Sequence, residues 1–137
     1  NQQDKGLNEY FDLLMFCIYN KTNTNVSEYK DELLTTSINL MKIFVEQLEF
    51  CNADSEIDDE EEIDELTRER ERLFDRLCFS MENDILPSLQ KIEYYKEEKY
   101  KDEIHQLLVK CIICNSREIR SKLQDVLLPA LLYQNKK

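Results

Sequence analysis

Residues 54–65 hold nine carboxylates and no basic side chain, the densest set of potential ligands in the chain. Asp54, Glu56, Asp58 and Glu65 supply oxygens at the first, third, fifth and twelfth positions of a calcium loop. Such a loop turns sharply on a glycine at its sixth position and keeps its eighth apolar, and this chain has Asp59 and Glu61 there. The pattern therefore favours a solvated strip over an ion site. Asp58, Asp59, Glu60, Glu61 and Glu62 become candidate contacts for a protein partner with a basic surface.

Cys111 and Cys114 have the spacing of half a zinc or dithiol site. A tetrahedral zinc needs four ligands, and the single histidine, His105, lies six residues before Cys111 and far around the same helix. The two thiols are expected as buried packing groups on an apolar helix over 102–114. His105, with no third group in view to orient it as a base, is expected to be exposed or capping. Gly6 is the only glycine, which excludes Gly-rich phosphate loops. Tyr94, Tyr95 and Tyr100 among lysines could stack on bases, but Glu93, Glu97 and Glu98 alternate with those lysines and favour an exposed hinge. No catalytic, cofactor or metal site is expected, and the chain reads as a non-enzyme.

The formal charge of -11 arises mostly in the acidic tract, so nucleic acid is excluded as a direct ligand and anionic membrane is disfavoured. The longest apolar run, residues 13–19, is far too short to span a bilayer, and no secretory leader pattern is present. An odd number of cysteines, five, set in apolar patterns suits a reducing, cytoplasmic setting; a nuclear one stays open. Asn20-Lys-Thr22 and Asn25-Val-Ser27 fit the glycosylation acceptor pattern and would stay unused there. A chain that opens on Asn1 and closes on Lys137 is expected to be part of something longer.

The elements that would position these groups are helical. One glycine, two prolines and no tryptophan beside abundant Leu, Ile, Glu and Lys predict an all-α chain, one helical domain over 1–137 with an acidic linker at 52–62. Leu7, Tyr10, Phe11, Leu14, Cys17 and Ile18 form the apolar stripe of a first helix. Asn25, with Glu28, starts a second helix reaching about Cys51 on Leu34, Ile38, Met41, Val45 and Leu48, with a bend expected near residues 35–37. The pattern resumes near Ile63 through Leu66, Leu73, Phe74, Leu77, Cys78 and Met81. Pro87 either kinks one helix running to Lys96 or follows an Asp84 cap, and the kink is preferred. A short helix, apolar on nearly all sides through Leu107, Leu108, Val109, Ile112 and Ile113, is expected to be buried. Asn115 and Glu118 cap a last helix that buries Ile119, Leu123, Val126, Leu127 and Ala130. Leu131, Leu132 and Tyr133 run past what one partner helix covers and are candidate partner contacts.

Asp84-Ile-Leu-Pro87 and Asp125-Val-Leu-Leu-Pro129 place two prolines 42 residues apart. That spacing resembles the HEAT and armadillo period and implies five or six helices stacked as hairpin repeats, a scaffold for protein binding. Residues 72–79 (Arg-Leu-Phe-Asp-Arg-Leu-Cys-Phe), 100–108 (Tyr-Lys-Asp-Glu-Ile-His-Gln-Leu-Leu) and 115–123 (Asn-Ser-Arg-Glu-Ile-Arg-Ser-Lys-Leu) resemble the C-terminal helical repeats of large Sec7-type Arf exchange factors. The likeness covers about 60 residues and implies a regulatory trafficking module peripheral to Golgi or endosomal membranes, with no exchange domain of its own. Transport receptors and nuclear pore scaffolds are similar to nearly the same degree. The alternative architecture is a compact bundle that grips an amphipathic partner helix, in the manner of Bcl-2-type regulators.

Overall fold

A computed structural model describes residues 2–20, 25–54 and 65–135. The calcium-like spacing and the candidate contacts Asp58 to Glu62 lie outside the described residues. Six α-helices follow in order: α1 (Gln2–Tyr19), α2 (Val26–Asp54), α3 (Glu65–Ser80), α4 (Leu86–Lys91), α5 (Lys101–Lys110) and α6 (Arg117–Asn135), with no strand among the described residues. A π turn, Met81–Ile85, joins α3 to α4 without leaving the helical region, so these three make one rod and the described residues form five rods.

Pro87 explains the π turn. Its ring has no N–H for the carbonyl one α-turn back and would collide with that carbonyl in a regular helix. One extra residue in the turn separates them, and the Leu86 N–H bonds instead to the Met81 carbonyl, five residues back. The Asn83 side-chain amide donates to the Phe79 carbonyl at 2.9 Å. Asp84 is no helix cap: it sits inside the turn, buried, and its Oδ1 accepts from Asn8 Nδ2 of α1 at 2.7 Å. The rod stops at Lys91, five residues before the expected Lys96, because Glu93 adopts a left-handed φ of 55°. Tyr95 donates its O–H to the Glu93 carboxylate at 2.8 Å and Lys96 pairs with it at 3.2 Å, holding the reversal. Both contacts lower the Glu93 pKa, the Tyr95 hydrogen bond being the largest single cause, followed by the hydrogen bond and charge of Lys96.

Packing puts the helices in two rows. α1 lies against α3 and the π turn, while α6 lies against the π turn and α4, so the rod separates α1 from α6. α2 crosses behind α1 and α3 and packs on α5. The expected stripe of α1 faces inward, with Phe11, Leu14 and Ile18 buried. α2 extends through Asn52 to Asp54, the first residues of the expected linker. It buries Leu33, Leu34, Ile38, Met41, Phe44, Val45 and Leu48, and Ser37 between them is buried too. One contiguous core results, and the two rows share it.

Residues 94–101 differ from the exposed hinge expected of them. Tyr94 is 1% exposed and Ile92 is buried, while Tyr95 and Tyr100 are half-buried against the core. Lys30 meets Glu97 at 3.2 Å and Tyr100 donates to Asp31 at 2.9 Å, pinning this segment to the start of α2. Aromatic mass beat local polarity here: burying a ring removes more apolar surface than the flanking charges can keep wet.

Candidate functional site

The most built surface feature surrounds the connection from α5 to α6. α5 ends at Lys110, a 3-10 turn covers Cys111–Ile113, and Cys114 is extended. Ser116 then caps α6, its carbonyl accepting from the Arg120 N–H at 3.0 Å and its Oγ from the Ile119 N–H at 3.3 Å. The cap is therefore Ser116 and not Asn115, one residue later than expected. Ser116→Ala is expected to cost about 1 kcal/mol of stability, measurable by urea unfolding. A loss under 0.3 kcal/mol would show that water caps this helix equally well.

The tightening of the 3-10 turn decides which apolar side chains are covered. Cys111 and Cys114 face the core at 0% and 2% exposure, whereas Ile112 and Ile113 are each 51% exposed and Val109 46%. The expectation of a short helix buried on all sides is thus overturned for its outer half. The core lies only on one side of α5, and no described helix packs on the other. On α6, Ile119, Leu123, Val126 and Ala130 are buried as expected, Leu127 is only half-buried where full burial was expected, and Leu128 and Leu131 are 57% and 46% exposed. Ile112 and the outer face of α6 enclose an apolar groove of about 520 Å³, floored by Leu123 and Leu127 and rimmed by Leu128 and Leu131. Arg117 and Arg120 line its other end.

No family model, curated protein or solved structure matches this chain. The groove and its neighbours are therefore interpreted from their own geometry.

The three expected partner contacts on α6 do not lie on one face. Leu131 lines the groove and Leu132 is 55% exposed, but Tyr133 is half-buried on a different face. Its ring lies 5.1 Å from that of Tyr95 with Lys96 Nζ 6.0 Å above it. There it borders a polar cleft of about 230 Å³ with Tyr94, Lys101, Asp102 and His105. His105 is half-buried, with Nδ1 3.4 Å from the Tyr94 hydroxyl. Burial pushes Tyr94 up to about 12, so its O–H stays protonated and can act as a hydrogen-bond donor. The groove residues that the sequence reading missed are Ile112, Arg117, Arg120 and Leu128. Their signal was the run 117, 120, 124, 128, 131, steps of three and four that put one end of a helical face in arginine and the other in leucine.

Beneath the arginines lie thiols of contrasting character. Cys17, Cys78, Cys111 and Cys114 form no disulfide among the described residues, and Cys51 lies outside the described side chains. A hydrogen bond with Cys78, the Ser116 backbone N–H and the nearby Arg120 charge together bring Cys114 down to about 6 against the opposing effect of burial. Burial first, then the charge of Cys114, pushes Cys111 up to about 12. Among the described residues no cluster of three or more His, Cys, Asp or Glu could hold a metal. Thiolate absorbance at 240 nm should show one group titrating near pH 6 in the wild type and lost in Cys114→Ser. No thiolate below pH 7.5 would contradict the assignment.

Cys114 is stabilised as thiolate in the fold, so its contribution to stability is present above its ordinary pKa and is lost as pH falls towards 6. Cys111 works in reverse, contributing below its ordinary pKa and opposing the fold as pH climbs towards 12.

Proposed function

We propose that the chain is a non-catalytic helical-hairpin module for protein–protein interaction, with the outer face of α6 as a contact surface. The observation that carries this is the large apolar surface left uncovered on that face, with Leu128, Leu131, Leu132 and Ile112 all 46% exposed or more. Isolated leucines on a surface are ordinary, whereas a contiguous apolar groove is a feature of interaction sites. The packing order supports stacked hairpins: α1, the rod and α6 follow one another in one row, α2 and α5 in the other, as successive repeats would. The opposite end of the first row is also apolar, with Leu13 and Phe16 of α1 at 59% and 66% exposure. Open apolar faces at both ends of a row suit an element of an array.

Within this proposal the acidic residues Asp58 to Glu62 are a second contact feature, for a partner with a basic surface. The resemblance of residues 72–79 and 115–123 to trafficking regulators would place the module at Golgi or endosomal membranes. No helix among the described residues is long and apolar enough to cross a membrane.

Small-angle scattering tests the arrangement, an elongated two-row particle being expected and a compact sphere favouring the closed bundle. Affinity capture tests the function with three full-length baits: wild type, Leu128→Asp with Leu131→Asp, and Asp58 to Glu62 changed to Ser. A specific partner lost with the leucine substitutions supports the α6 surface. Identical partners on all three baits would remove both contact features, and loss confined to the acidic variant would assign the interface to the tract alone.

A further inference from the structure

We infer that the α6 groove receives an amphipathic helix with an acidic end, its leucine-type side chains on the apolar part and its carboxylates beside Arg117 and Arg120. This rests on α6 being a contact surface and adds the chemistry of the partner. The face from Arg117 to Leu131 spans 15 residues, a rise of about 21 Å, enough to seat roughly four turns of a second helix. A strand would gain nothing there, because the backbone groups of α6 are spent within the helix and offer no ladder to extend. A helix satisfies its own backbone and can bury an i, i+3, i+4, i+7 stripe against Ile112, Leu128 and Leu131.

Charge fixes the end and the sign. Arg117 and Arg120 are exposed, and neither closes a salt bridge with a carboxylate among the described residues, while the Arg120 charge also acts on Cys114. They stand at the N-terminus of α6, where the helix dipole adds positive potential. Glu118 and Asp125 are exposed on the same helix but do not line the groove. The groove is thus locally positive at one end in a chain of formal charge -11. That same charge disfavours a second copy as the occupant, since two such chains repel as they approach.

The test uses two fluorescent 18-residue peptides with the same leucine stripe, one ending in three Glu and the other in three Lys, titrated by anisotropy against the full chain. The acid-ended peptide should bind at least tenfold more tightly, with the preference shrinking as salt rises. Leu128→Glu should weaken it at least tenfold with an unchanged melting curve. Arg117→Glu with Arg120→Glu should invert the preference, a result that misfolding does not produce. Equal binding of both peptides to the wild type, lost in Leu128→Glu, would overturn the charge assignment and leave the α6 surface standing. Absence of binding, or binding indifferent to Leu128→Glu, would overturn both. Concentration-dependent dimerisation abolished by Leu128→Glu would assign the groove to a second copy and overturn the inference.

Discussion

Phe44→Ala should destabilise the protein by about 3–5 kcal/mol, the range for deleting a ring from a packed core. Phe44 is 0% exposed, and its ring stacks on Phe74 of α3 with centroids 5.6 Å apart and planes 7° from parallel. It lies on α2, which packs against α1 and α3 in one row and α5 in its own. Truncation therefore leaves a void beside Phe74 in the core that the helices share. The cost combines lost transfer energy with an unfilled cavity. Ile43 on the same helix is 41% exposed, so Ile43→Ala should fall within about 0.5 kcal/mol of wild type. Urea unfolding of the three proteins measures the contrast. A Phe44→Ala loss below about 1.5 kcal/mol would mean that the rows are not joined through this ring.

Tyr94→Ala should be nearly as damaging, about 3–5 kcal/mol, while Tyr94→Phe should cost about 0.5–1.5 kcal/mol. Tyr94 is 1% exposed in a segment dense in lysine and glutamate, and its ring packs edge-on against Tyr95 at 5.8 Å. The ring supplies the larger loss; the hydroxyl supplies only the 3.4 Å contact with His105 Nδ1. Residues 92–100 also carry the Glu97 and Tyr100 contacts to α2, so loss of the ring loosens the connection between the rod and α5. Exposed-hinge behaviour would instead put both variants within about 0.5 kcal/mol of wild type. Thermal or urea unfolding separates these outcomes, and a small loss for Tyr94→Ala would remove this segment from the core.

Much of the helical pattern was legible before folding. The stripes of α1 and α2 and the inner face of α6 at Ile119, Leu123, Val126 and Ala130 are buried where three-and-four spacing put them. Periodicity succeeds there because side chains at those steps share a face whatever the helix packs against. The proline at 129 lies within α6, but the proline at 87 follows a π turn, so their common spacing hides two different local solutions.

Spacing along the chain determined which residues stand together on a face; tertiary structure decided which faces found cover. Ile112 and Leu108 are equally apolar neighbours in sequence, yet one is 51% exposed and the other 0%, because the 3-10 turn and the position of α2 fall on one side of α5 only. Tyr94 went inward because the left-handed turn at Glu93 ends the rod and the residues after it pack on α5 and α6. Leu131 and Tyr133 parted for the same kind of reason: two residues apart on a helix is about 200° of rotation, and neighbouring helices cover only part of that circle. The composition and periods of this sequence determine helices with apolar faces. The groove and its arginine end exist because, among the described residues, five rods leave one of those faces without a neighbour.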